Sequence, residues 1–140
     1  MKRSASAAWT GDLKTGKGTI SSQSSVLKDA RYGFTARFED GPGTNPEELL
    51  GAAHAGCYSM MLSLILGEKG LTADHIATKA TVTLDTSSGA EITAVHLDVS
   101  AKVPGADAAT FAAAAEAAKA GCPISKVLKA TVTMTAVLEA

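Results

Sequence analysis

Asn45-Pro46-Glu47-Glu48-Leu49-Leu50-Gly51-Ala52-Ala53-His54-Ala55-Gly56-Cys57-Tyr58-Ser59-Met60-Met61-Leu62-Ser63-Leu64-Ile65-Leu66-Gly67 is the stretch that decides the fold. Asn45 can accept a backbone hydrogen bond as an N-cap, Pro46 suits the first helical position, and Glu48 can complete a capping box. From there Leu49, Leu50, Ala53, Cys57, Met60, Met61, Leu64 and Ile65 recur at helical spacing. A stop is expected near Gly67 or Gly70. The helix is apolar over most of its circumference, so it is expected to be a central, buried element.

Downstream of it lie two long alternating stretches, one carrying Ala80, Val82 and Leu84, the other Val95, Leu97, Val99, Ala101 and Val103. Ser87-Ser88-Gly89-Ala90 between them reads as a hairpin loop. Asp107 can cap a second helix over 108–120, whose alanines allow close packing on a sheet before Gly121 ends it. Pro123 then permits a short helical turn over 124–129, and Val132, Met134, Ala136 and Leu138 alternate in a last strand. Upstream, residues 6–10 and 18–21 flank the turn-like 11–16 as a hairpin. Tyr32-Gly33-Phe34-Thr35-Ala36-Arg37-Phe38 alternates as a third strand, which would point Arg37 away from the aromatic face. The order β-β-β-α-β-β-α-β implies an α+β fold with mostly antiparallel pairing around two long helices.

Composition agrees with that class. A chain of 140 residues is the size of a single domain, here 1–140, and can bury a core without disulfide staples. Hydrophobic residues make up 46% of the chain but only 4% are aromatic, so the core must be aliphatic. Thirteen basic against 14 acidic side chains leave a net charge of -1, which argues against nucleic acid as a partner. The first residues, through Trp9, never reach an apolar export segment. The longest apolar stretch, 58–66, is broken by Ser59 and Ser63 and falls short of the roughly 18 residues a membrane span needs. No membrane association and a cytoplasmic location are therefore expected. In that reducing setting, two cysteines point to catalytic or free thiols rather than a structural bridge.

The chemistry has to be built around those thiols. Cys57 is either a small hydrophobe filling space or a nucleophile, and as a nucleophile it needs a nearby cation, because it lies three turns beyond the helix start. Arg37 is the candidate cation, against the plainer reading of a surface arginine. Glu47 can grip a guanidinium with both oxygens, or simply favour the first turn of the helix through the dipole. Ten residues of helix separate Glu47 from Cys57, about 15 Å of rise. If both serve one site, either the helix breaks early or a second subunit supplies Glu47. Cys122, between Gly121 and Pro123, sits at a helix cap where amide dipoles ease ionisation, though structural cysteines occupy such turns too. His54, three residues before Cys57, reads as a packed or hydrogen-bonded helix residue, and a metal site with Cys57 and Cys122 finds no support in the spacing of His75 and His96. Gly41-Pro42-Gly43 lacks the lysine of a phosphate loop and no serine sits in a nucleophile elbow, so no cofactor is expected.

The run from Gly43 to Cys57, with Ala120-Gly121-Cys122-Pro123 later, closely resembles the OsmC/Ohr family, and specifically its osmotically inducible protein C branch. Ala8-Trp9-Thr10-Gly11 and Lys17-Gly18-Thr19 look like that family's opening hairpin, and Val127-Leu128-Lys129-Ala130 like its closing element. The resemblance implies an intertwined homodimer with active sites at the interface. It implies Cys57 as the peroxidatic cysteine, Cys122 as the resolving one, and Arg37 and Glu47 as the activating pair. Organic hydroperoxides are the implied substrates, hydrogen peroxide a poorer one, and dithiols, lipoyl groups in particular, the implied reductants. A redox-sensing or binding module that uses the same cysteine pair without turnover is the competing reading.

Overall fold

The computed structural model describes residues 1–140, which divide into two compact units, Met1–Leu49 and Leu50–Ala140. In the first, strands β1 (Ala5–Thr10), β2 (Lys17–Ser22) and β3 (Ala30–Tyr32) form an antiparallel sheet in that order. Trp9, Gly18 and Tyr32 are register partners across it, and the Trp9 and Tyr32 rings meet with centroids 5.5 Å apart. A Cβ at Gly18 would come within 2.3 Å of the Tyr32 ring, so the middle position of this aromatic row has to be glycine.

The expected third strand is corrected beyond Tyr32. Phe34–Phe38 is a short helix, α1, that starts after Gly33. Two contacts favour the helical choice over extension. Phe34 and Phe38 stack one turn apart, centroids 4.9 Å, and the Asn45 side-chain amide donates to the Ala36 carbonyl at 2.9 Å. Arg37 consequently does not oppose the aromatic residues: its guanidinium lies over the Phe38 ring, 5.3 Å from the centroid.

Helix α2 (Pro46–Glu68) begins in the first unit and continues in the second. Asn45 caps it, accepting from the Glu48 amide at 2.8 Å, while the Glu48 carboxylate turns back to the Thr44 hydroxyl at 2.7 Å. Its far end is a Schellman turn. Leu71 N–H reaches the Leu66 carbonyl and Gly70 N–H the Gly67 carbonyl, with Gly70 in the left-handed region at φ +72°.

In the second unit, β4 (His75–Asp85), β5 (Glu91–Lys102) and β6 (Thr131–Leu138) form a sheet with β5 in the middle, and α3 (Ala108–Gly121) and α4 (Pro123–Val127) link β5 to β6. β4 and β5 are antiparallel. β5 and β6 run parallel, the exception within the mostly antiparallel pairing expected, and this follows from the helical crossover joining them. The core lies between helices and sheet: Tyr58, Leu62 and Leu66 of α2 and Phe111, Ala114 and Ala118 of α3 pack with the inward residues of β5. Gly51 lets α2 approach β4, since a Cβ there would stand 3.3 Å from the Ala80 carbonyl oxygen.

The expectation of a central, buried α2 holds along one stripe only. Its buried positions are Gly51, His54, Tyr58, Leu62 and Leu66, a single stripe at three- and four-residue spacing, while Met60 and Leu64 are 77% and 56% exposed. By length and composition this helix could also cross a membrane, with a mean hydropathy of 1.6 over 18 residues, although the apolar run 58–66 alone is short. The stripe that carries His54 and Tyr58 into the core is the mark of a helix packed in a folded unit.

Candidate active site

Among the residues singled out from sequence, the structure brings together two pairs, one in each unit. In the first unit, α1 carries Arg37 and the first turn of α2 carries Glu47. Arg37 Nη2 and Nε meet the two carboxylate oxygens as a fork, at 2.8 Å to Oε1 and 3.2 Å to Oε2. The Phe38 ring beneath and the carboxylate beside it restrict the guanidinium to one orientation. α2 is unbroken from Pro46 to Glu68, so the early break that would have let Glu47 fold back along its own helix does not occur.

In the second unit, Cys57 lies half-buried on α2 and Cys122 is fully buried where α3 meets α4. Cys122 closes one helix and opens the next: its N–H donates to the Ala118 carbonyl and its carbonyl accepts from Lys126 N–H, both at 3.0 Å. Pro123 occupies the first position of α4, where its missing N–H costs nothing. This junction fixes the Cys122 sulfur, and the two thiols, both free, stand 3.1 Å apart. At that separation the two sulfurs are within reach of each other for a disulfide.

The two sulfurs are in unlike environments. Burial pushes the Cys57 thiol up, the adjoining Cys122 pushes the same way, and the Ile124 amide opposes them weakly. Burial also raises Cys122, but the Ser125 amide, Cys57, the Ser125 hydroxyl and the Ile124 amide together outweigh it, so this thiol ionises below its ordinary range.

His54 sits one turn before Cys57, fully buried, with Nε2 2.7 Å from the Ser125 hydroxyl. It is the hydrogen-bonded helix histidine expected from sequence. Ser125 was not singled out there; its position three residues after a cysteine at a helix cap is the signal that could have found it. No group of three or more His, Cys, Asp or Glu side chains gathers anywhere in the chain in the manner of a metal site.

The profile of the OsmC-like protein family matches residues 39–137. Peroxiredoxin OsmC of Escherichia coli is 55% identical over 129 residues, which cover 91% of this chain and 90% of that protein; the same protein of Shigella flexneri matches equally. Among solved structures, an OsmC-like protein of Vibrio cholerae superposes with a TM-score of 0.78 at 15% identity, over 98% of this chain and 99% of its own. Organic hydroperoxide resistance protein OhrB of Bacillus subtilis superposes with a TM-score of 0.65 at 23% identity, over 97% and 98%. These two likenesses bear on the fold.

Proposed function

This chain belongs to the OsmC family, and we propose that it is a thiol-dependent peroxidase that reduces organic hydroperoxides, and hydrogen peroxide less well, to alcohols or water. The observation that carries the reading is the pair of free thiols 3.1 Å apart in a chain 55% identical to peroxiredoxin OsmC. In this reading residues 1–140 work as one peroxidase domain, in the reducing cytoplasm where free thiols persist.

The Cys57 thiolate attacks one peroxide oxygen. The O–O bond breaks, the alkoxide departs and takes up a proton, and Cys57 is left as a sulfenic acid. Cys122 then displaces the sulfenic hydroxyl as water and forms the disulfide. A dithiol of the lipoyl type restores both thiols by exchange.

Cys57 begins with its thiol pushed up by burial, so the first step requires a cation that none of its immediate influences supplies. Arg37, held by Glu47, is that cation: a guanidinium stays charged when partly buried and stabilises both the thiolate and the departing alkoxide. With α2 unbroken and about 15 Å of rise between Glu47 and Cys57, we assign the activating pair to a second copy of the chain, making the enzyme a homodimer. The exposed apolar side chains Met60 and Leu64 support that assembly.

The test is turnover of an alkyl hydroperoxide with dihydrolipoamide as reductant, for the wild type and for Cys57→Ser. Turnover by the wild type alone is expected. Equal consumption by both would remove Cys57 from the chemistry, and a single round of oxidation without turnover would point to a redox sensor instead.

A further inference from the structure

His54 is fully buried, and one of its ring nitrogens has no partner: Nδ1 meets no polar atom, while Nε2 lies 2.7 Å from Ser125 Oγ. An unpaired polar atom in the interior is destabilising, and an apolar side chain of similar size would avoid it. What the position keeps by being histidine is a single bond, and that bond leads to α4. Ser125 lies three residues beyond Cys122, in the helix that Cys122 caps.

α4 has little else to hold it. It is five residues long with none of them buried, and Val127 at its end is 74% exposed. A helix this short does not persist on its own hydrogen bonds. Leu128 returns the chain to the core just past it. Within α4 the contact of Ser125 with His54 is the one side-chain hydrogen bond.

The tie stands in register with the sulfurs. On α2, His54 precedes Cys57 by three residues and Met61 follows it by four, so the three share a face. Across from them, Gly121 precedes Cys122 and Ser125 follows it by three. His54 meets Ser125, Cys57 meets Cys122 at 3.1 Å, and Met61 lies beside Gly121, where a Cβ would stand 3.8 Å from its sulfur. The sulfur pair is bracketed by a polar tie on one side and an apolar contact on the other.

Resting on the peroxidase reading above, we propose that His54 is a positioning residue for the resolving step: its bond to Ser125 fastens α4 to α2 and holds the Cys122 sulfur against Cys57. In that step Cys122 Sγ forms the S–S bond and the S–O bond of the Cys57 sulfenic acid breaks. The hydroxide leaves as water with the proton that Cys122 gives up. His54 exchanges no proton. It raises the effective concentration of one thiol at the other, so it acts on every reaction that joins these two sulfurs and on none that involves Cys57 alone.

The experiment equilibrates the protein with mixtures of reduced and oxidised glutathione, which make the Cys57–Cys122 disulfide by exchange and without peroxide. The fraction oxidised is read by alkylation and mass spectrometry. Ser125→Ala and His54→Leu are each expected to lower the equilibrium constant for the disulfide about tenfold, the weight of one hydrogen bond. Ser125 is half-buried, so its hydroxyl can be removed without opening a cavity in the core. The double variant is expected to fall no further than either single one, since both remove the same bond. Ser125→Thr and His54→Gln, each able to remake it, recover the wild-type constant. An unchanged constant in either single variant overturns the proposal, as do additive losses in the double or failure of both conservative variants to recover it. With one equivalent of alkyl hydroperoxide, Ser125→Ala is expected to lose its Cys57 thiol at the wild-type rate and to hold a sulfenic acid, trapped by dimedone, about ten times longer. Equal lifetimes also overturn it. If the wild type forms no sulfenic acid at all, the peroxidase reading has failed, and the glutathione constants still decide whether His54 holds the two sulfurs together.

Discussion

At the scale of single residues the account turns on how Cys57 becomes a nucleophile. Burial and the neighbouring Cys122 push its thiol up, so in the proposed mechanism a guanidinium has to favour the thiolate. Arg37→Ala is therefore expected to slow oxidation of Cys57 by about a hundredfold. Arg37→Lys should recover little, because an ammonium cannot reproduce the fork on Glu47. Stopped-flow measurement of the first oxidation step separates this from an effect on resolution, and an unimpaired Arg37→Ala would remove the cation from the mechanism. His54 gives a second residue-scale expectation, in stability. Its folded pKa is depressed by burial below the unfolded value of about 6.5, so the unfolded chain binds the proton more readily. Its contribution is complete above about pH 6.5 and is lost as pH falls from there toward the lower folded value. Urea midpoints should drop over that window in the wild type and drop less in His54→Gln; equal slopes would mean that other groups govern acid sensitivity.

At the scale of elements, α2 positions a member of each pair, and its ends are set by local chemistry. Removing the cap with Asn45→Ala is expected to cost about 1 kcal/mol, read as a lower urea midpoint. The same side chain also holds α1 through the Ala36 carbonyl, so the change should loosen Arg37 as well as the helix start. A variant with unaltered stability would show that the cap is satisfied by water. These ends were legible in the sequence because capping is local: Asn45, Pro46 and Gly70 act on their own neighbours, although the Glu48 carboxylate takes the Thr44 hydroxyl instead of completing a capping box. α1 was not legible. The alternation of Tyr32, Phe34, Ala36 and Phe38 fits a strand, and one of the two contacts that favour a helix over 34–38 comes from Asn45, nine residues away from Ala36. The direction of β6 was hidden for a similar reason, since alternation specifies a strand's faces but not its partner's polarity. In the site, the cysteines stood out by type and setting, whereas the contact of Ser125 with His54 joins positions 71 apart and shows only in the fold.

At the scale of the whole molecule, an isolated chain leaves an unusual amount of apolar surface on α2, with Ala52, Ala53, Gly56, Met60 and Leu64 all exposed. Burial against a second copy would remove that surface from water, at roughly 25 cal/mol for each Å² covered. The wild type is expected to sediment as a dimer, and Met60→Lys with Leu64→Lys to sediment as a monomer that has lost peroxidase activity. A fully active monomer would contradict the shared site. The central claim is more direct than any of these, because it concerns what a hydroperoxide does to two particular sulfurs. The measurement is peptide mapping by mass spectrometry after the reduced protein meets one equivalent of an alkyl hydroperoxide. The account predicts a single disulfide joining the peptides that contain Cys57 and Cys122, removed again by dihydrolipoamide. Two free thiols after that exposure would contradict it.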